Sequence, residues 1–218
     1  MTRTARLIVF DLDGTLVDSK DDLASSVNFA LAAFGFPALP NPVVYSYVGD
    51  GATMLIRRSI PPGENGVVEG VLSTFLSHYS QHLLDTTVPY PGVAEALAAW
   101  GDRYRMAVLT NKPVAMTRAI LSGLGLASHF AEVRGGDSFE TKKPDPAGLL
   151  RVMESMGASP RETLMVGDSP NDVLAGRGAG AATCGVTYGL GAAGFAKAPP
   201  DFTIDRFPEL FTRIRPVA

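Results

Sequence analysis

Leu7-Ile8-Val9-Phe10-Asp11-Leu12-Asp13-Gly14-Thr15-Leu16 decides the fold. Four consecutive apolar residues read as a strand buried on both faces, and that strand delivers two carboxylates two residues apart. Side chains at i and i+2 of an extended segment share a side, so Asp11 and Asp13 are expected to point together into the crevice where an open α/β sheet takes its ligand. Two acids beside Gly14-Thr15 are, by ordinary turn chemistry, most often a solvated turn. A surface turn, however, needs no aliphatic strand feeding it and no Val17-Asp18-Ser19 exit that restarts helical periodicity.

Beyond that exit, Leu23, Val27, Ala30, Leu31 and Phe34 form a helical stripe over 20–34, with Asp21 and Asp22 suited to its positive N-terminus. A break at Pro37, Pro40 and Pro42 precedes two further expected helices, 52–59 and 67–84, separated by Pro61-Pro62-Gly63. Asp85 to Gly92 reads as a stiff linker. From there helices (93–100, 114–124, 147–156, 172–177, 208–214) alternate with strands (106–109, 132–134, 164–166, 183–186), and Ser159-Pro160-Arg161-Glu162 has the pattern of a capping box. Alternation of this kind predicts a Rossmann-like α/β fold, a parallel sheet with helices on both faces. The expected division is core 1–18, an inserted all-helical cap 19–86, and core 87–218, with the cap placed as a lid over the acidic pair.

Composition permits an enzyme and narrows its partners. With 218 residues and 46% hydrophobic content the chain can bury a large core, and 19 basic against 22 acidic residues give a net charge of −3, which offers nucleic acid no field. Cys184 is the single cysteine, so an internal disulfide and a thiolate metal cluster are excluded. The apolar run behind the basic Met1–Arg6 breaks at Asp11, too short for a signal peptide, and no window approaches a membrane span. The expectation is a cytoplasmic monomer or homodimer acting on a small molecule, without membrane or nucleic-acid partners.

Three more motifs, in order, convert the acidic pair into a site for moving a phosphoryl group. Val108-Leu109-Thr110-Asn111-Lys112 puts the Thr110 hydroxyl, with Asn111 beside it, and fresh backbone N–H groups at a strand end, suited to phosphate oxygens; a Thr capping the next helix is the alternative. In Lys142-Lys143-Pro144, Lys143 precedes proline and is biased to project away from the following helix, so its ammonium can offset the repulsion between nucleophile and phosphate. Lys142 is expected in solvent. Val166-Gly167-Asp168-Ser169-Pro170-Asn171-Asp172 adds two acids, and with Asp11 they form the hard, oxygen-rich site that Mg²⁺ prefers. The expected chemistry is attack by Asp11 on phosphorus, giving an aspartyl-phosphate, with Asp13 as acid and then base. Mg²⁺ is expected on the Asp11 carboxylate, the Asp13 backbone carbonyl and Asp168, with Asp172 orienting Lys143 or a metal-bound water.

These residues resemble the haloacid dehalogenase superfamily, whose four motifs match Asp11–Thr15, Thr110-Asn111, Lys143 and Gly167-Asp168 with Asp172. The resemblance spans nearly the whole chain and implies the core, the helical cap and the roles just given. Within the superfamily the likeness is to the bacterial phosphoglycolate phosphatases, through Asp13–Ser19, Val48-Gly49-Asp50-Gly51-Ala52, Leu109–Pro113, Gly135-Gly136-Asp137, Lys142-Lys143-Pro144 and Thr187-Tyr188-Gly189. It implies hydrolysis of 2-phosphoglycolate to glycolate and phosphate, with Gly49 and Gly51 of the cap loop at the substrate. Asp50 stands where those proteins commonly carry a neutral Asn and is expected to repel a substrate carboxylate, while Arg57 or Arg58 is expected to attract it. Alternatives are a sugar phosphomutase on the same scaffold, a phosphatase of sugar phosphates, nucleotides or pyrophosphate, and a non-catalytic phosphate-binding module.

Other signals carry less. Gly189-Leu190-Gly191-Ala192-Ala193-Gly194 has dinucleotide-fingerprint spacing but lacks the following βαβ unit and acidic partner, so it reads as a flexible loop. His78 and His82 lack the intervening Glu of a zinc protease and read as cap surface, and Phe75 and Tyr79 as cap packing.

Overall fold

The computed structural model describes residues 3–217. Arg3–Ala5 (β1) and Leu7–Phe10 (β2) are the first strands. Val17–Asp18 (β3) leads into four helices, Lys20–Ala33 (α1), Asn41–Tyr45 (α2), Ala52–Ser59 (α3) and Val68–Gln81 (α4). The chain returns through Val88–Pro89 (β4), which pairs antiparallel with β3. Then follow Val93–Trp100 (α5), Arg105–Leu109 (β5), Val114–Gly123 (α6), Glu132–Arg134 (β6), Ala147–Ser155 (α7), Thr163–Gly167 (β7) and Pro170–Gly178 (α8). Ala182–Val186 (β8), Phe202–Ile204 (β9), Leu210–Arg213 (α9) and Ile214–Pro216 (β10) complete the elements.

Six parallel strands form the main sheet in the order β6-β5-β2-β7-β8-β9. The chain builds outward from β2 to β6 on one side, then crosses back to continue from β7 to β9 on the other. That reversal makes the C-terminal ends of β2, β5 and β7 the place where a crevice opens in such sheets. In β2, Ile8 and Phe10 face one hydrophobic cluster and Leu7 and Val9 the other, which is why its apolar run has no polar gap. The first cluster continues into the inserted helices through Leu23, Val27, Val71 and Phe75, so the insertion and this sheet face share one core.

The insertion is tied down where the chain leaves it. Asp22, buried in the first turn of α1, accepts hydrogen bonds from the backbone N–H groups of Thr86 (3.0 Å) and Thr87 (2.9 Å) and from both hydroxyls (2.6 and 2.7 Å). Burial pushes its carboxyl pKa up, but these four donors outweigh burial and hold it below the usual range.

The structure departs from the sequence reading in several places; it adds the edge strand β9 and the β3–β4 pair, which the reading did not expect. The helix expected over 208–214 is four residues long, because Ile214 turns extended and β10 pairs parallel with β1. Helix α2 lies in the expected proline break; Pro42 occupies its first turn, where a missing N–H costs no helical bond. The glycine-rich stretch after β8 is an ordered loop with a short 3₁₀ turn over Ala192–Ala196, and it wraps Asp168.

Candidate active site

Asp11, Thr110 and Asp168 each follow the last residue of a strand, and β5, β2 and β7 are adjacent, so the sheet brings three distant stretches to one edge. Lys143 joins them from the loop before α7. Its ammonium donates to Asp11 Oδ1 at 2.8 Å and to Asp172 Oδ1 at 2.6 Å. All four acids and bases named here, Asp11, Lys143, Asp168 and Asp172, are buried. Burial pulls the Lys143 pKa down, but the two carboxylates outweigh it and the ammonium stays charged.

Asp172 both caps a helix and faces Lys143. Its Oδ2 accepts from the Ser169 N–H and hydroxyl in the capping box of α8, while Oδ1 faces Lys143. Asp168 Oδ2 accepts from the Leu190 and Gly191 N–H groups at 2.7 and 2.9 Å. Gly14, at φ +82°, passes so close to Asp168 that a Cβ there would stand 2.2 Å from Oδ2, so only glycine fits.

Carboxylate oxygens of Asp11, Asp168 and Asp172 lie within 4.8 Å of one another. One ammonium offsets these three acids, and burial together with the excess negative charge raises the carboxyl pKa of Asp168 and Asp11. Burial, then the charges of Asp11 and Asp172, push Asp168 up to about 8, and burial raises Asp11 to about 6 against the pull of Lys143. A hard divalent cation fits this donor set, being the group that relieves the repulsion.

Asp13 occupies a different environment. Ser19 donates to its Oδ1 at 2.5 Å, and Lys112 Nζ lies 2.9 and 3.0 Å from its two oxygens. Lys112 also donates to the Tyr79 hydroxyl at 2.6 Å and sits 4.5 Å from the centre of that ring. Burial would lower the Lys112 pKa, but Asp13 and Tyr79 outweigh it; burial pushes Tyr79 up to about 12. Sequence periodicity reads Tyr79 as helix packing and attaches no role to Lys112. No local signal separates them from an ordinary stripe residue and a loop lysine; their meeting is tertiary.

The remaining expected residues divide. Thr110 is buried at the cleft and its hydroxyl accepts only a long contact from the Lys112 N–H, 3.4 Å, rather than capping α6. The Asn111 side chain is committed to holding two carbonyls, those of Gly49 and Lys143, both at 2.9 Å, so what remains for an anion is its backbone N–H. The backbone N–H groups of Leu12, Asp13 and Asn111 have no acceptor among the described residues. Gly49 and Gly51 line the cavity above Asp11 and Asp13. Arg57 does not: on α3 it is Leu55, Ile56 and Ser59 that are buried, which turns Arg57 outward to a separate depression beside Phe36 and Pro61. Asp50 is no free charge, since Arg58 pairs with one oxygen (2.5 Å) and Asn171 donates to the other (2.6 Å).

A family model described as haloacid dehalogenase-like hydrolase matches residues 8–186. The chain belongs to that family. It is 38% identical to a phosphoglycolate phosphatase of Haemophilus influenzae over 222 residues, covering 97% of this chain and 99% of that one. It is 39% identical to phosphoglycolate phosphatase 1 of Pseudomonas aeruginosa over 218 residues, covering 96% and 79%. A crystal structure from Haemophilus somnus 129pt, described as a predicted phosphoglycolate phosphatase, superposes with a TM-score of 0.90 at 34% identity over 95% of this chain and 97% of that one. As a haloacid dehalogenase-like hydrolase the chain is an enzyme. Among its described residues no helix is long and apolar enough to cross a membrane.

Proposed function

We propose that this hydrolase is a Mg²⁺-dependent phosphatase of a small phosphorylated metabolite, 2-phosphoglycolate before others, working through an aspartyl-phosphate on Asp11. The observation that carries the reading is the separate wiring of two carboxylates in one cleft. Asp11 faces Lys143 and the acidic cluster; Asp13 faces Ser19 and Lys112. Two acids in unlike surroundings are what a nucleophile and an acid–base partner require. The names of the relatives support phosphoglycolate, as does a cavity of about 40 Å³ between sheet and insertion, room for a short tail.

In this scheme the phosphate sits against the Thr110 hydroxyl, the Lys143 ammonium and the unspent N–H groups of Leu12, Asp13 and Asn111. An Asp11 oxygen attacks phosphorus, the ester P–O bond breaks, and Asp13 gives its proton to the departing oxygen. Asp13 then takes a proton from water as that water attacks phosphorus, which releases phosphate and restores Asp11. Asp11, Asp168 and the Asp13 carbonyl, with Asp172 nearby, would hold Mg²⁺, and the ion would supply charge neutralisation at the phosphate. Residues 19–86 act as the cap that excludes water. The cavity wall on the cap side, Val48, Ala52, Leu55, Phe75 and Leu76, is apolar apart from the single Tyr79 hydroxyl, which is no polar set to hold a sugar while it turns, so no observation favours a mutase.

Phosphate release with Mg²⁺ from phosphoglycolate, ethyl phosphate, sugar phosphates, nucleoside monophosphates and pyrophosphate tests the proposal. The expected result is the highest kcat/KM for phosphoglycolate. Equal rates across the panel would defeat the substrate assignment, and isomerised sugar phosphate without released phosphate would defeat the reaction.

A further inference from the structure

Lys112 is a buried ammonium to which the phosphate chemistry above assigns no step of its own. Lys143 already faces Asp11 and the acidic cluster, and Lys112 points elsewhere, to Asp13 and Tyr79. Its side chain is 4% exposed, and an ammonium withdrawn from water is costly unless its partners are good. The cavity it lines is otherwise walled on that side by Leu55, Phe75, Leu76 and Met116. Tyr79 accepts from Lys112, and its own hydroxyl proton has no acceptor among the described residues. Two donors thus stand together in an apolar pocket, just past the group that protonates the departing oxygen.

The order of groups matters. With phosphate at Asp11 and the ester oxygen at Asp13, as proposed above, the group attached to that oxygen enters the cavity that Asp11, Asp13, Lys112 and Tyr79 line together. In phosphoglycolate a single methylene separates the ester oxygen from the carboxylate. We propose that Lys112 and Tyr79 together form the receptor for the substrate's carboxylate, a specificity-determining pair divided between the sheet and the helical insertion. This inference rests on the phosphatase reading and adds to it the residues that choose the alcohol. Asp13 already neutralises the Lys112 ammonium, but a neutral tail would leave the buried Tyr79 hydroxyl proton without an acceptor and the ammonium with no anion on its cavity side, a form of rejection a small site can use. Because Tyr79 belongs to α4 and Lys112 to the loop after β5, the receptor is whole only when the insertion is seated on the core, as here. A carboxylate therefore favours closure, and a neutral tail does not.

The test compares kcat/KM for phosphoglycolate and ethyl phosphate, with saturating Mg²⁺, in wild type, Lys112→Met and Tyr79→Phe. Lys112 also touches Asp13, so the methionine variant slows on both esters; the ratio isolates recognition of the tail. The expected result is a fall in the phosphoglycolate to ethyl phosphate ratio on the order of a hundredfold for Lys112→Met and about tenfold for Tyr79→Phe, with weaker competitive inhibition by glycolate. A ratio unchanged within about threefold in both variants overturns the inference and leaves Lys112 as a positioning residue for Asp13. Should Lys112→Met not fold, Tyr79→Phe, which removes one oxygen, decides by the same ratio. A wild-type ratio near one defeats the phosphoglycolate assignment instead, because the pair is judged by the change between wild type and variant.

Discussion

Replacing Asp11 with Asn should abolish turnover and yet stabilise the metal-free protein at alkaline pH. Burial raises the Asp11 carboxyl from 3.8 to about 6, against the pull of Lys143 and with the repulsion of Asp172 and Asp13 added. A carboxyl whose pKa is higher in the fold than in the unfolded chain contributes stability that is full below about pH 4 and lost as the pH rises through about 6. By pH 8 the ionised group costs about 3 kcal/mol, equivalent to about 6–12 °C in Tm for a chain of this size. Asparagine is neutral at every pH and nearly the same shape, so it escapes that loss. Thermal melts in EDTA should show the variant above wild type by about that margin at pH 8, with the gap closing towards pH 4. Mg²⁺ should narrow the gap, since it relieves the same repulsion in wild type. Phosphate release from phosphoglycolate should fall by at least about a thousandfold. A variant less stable than wild type at pH 8 in EDTA would mean that attraction to Lys143 outweighs burial, contrary to the reasoning, and a variant that turns over would mean another nucleophile.

Asp22→Ala should cost about 2–4 kcal/mol, because four donors of Thr86 and Thr87 lose their acceptor. The Asp22 pKa is depressed in the fold, so urea melts should show this difference above about pH 5 and its loss as the pH falls below about 4. With Asp168 raised to about 8, Mg²⁺ must displace protons to bind at pH 7, so calorimetry in buffers of different ionisation enthalpy should register proton release and an affinity that rises from pH 6 to 8.5; a pH-independent affinity would count against the acidic cluster as the metal site. Gly189→Ala places a Cβ 2.2 Å from the Asp168 Cβ and 2.4 Å from the Gly14 carbonyl oxygen, so it should lower both Tm and Mg²⁺ affinity, where a flexible loop would absorb it without effect.

The candidate carboxylates were open to sequence reading because each announces itself locally. An apolar run such as Leu7–Phe10 must be a strand, the strand's period puts Asp11 and Asp13 on one side, and the motifs at Thr110, Lys143 and Asp168 each follow a strand or precede a proline in the same way. Parallel order and the alternation of helices then require those strand ends to share an edge. The surroundings of the carboxylates are not local. Lys112 reaches Asp13 across 99 residues and Tyr79 across 33, and Asp168 is held by amides from a glycine-rich loop with no side chain to declare its purpose. Arg57 and Asp50 illustrate the converse: their charges are plain in the sequence, but the packing of α3 turned one away from the cleft and paired the other with Arg58. Periodicity along the chain picks out the candidate residues, because it depends only on neighbours a few positions apart. Which charge faces which, and so what the substrate meets beyond its phosphate, follows from how the insertion rests on the sheet, a matter of contacts between segments that no local pattern encodes.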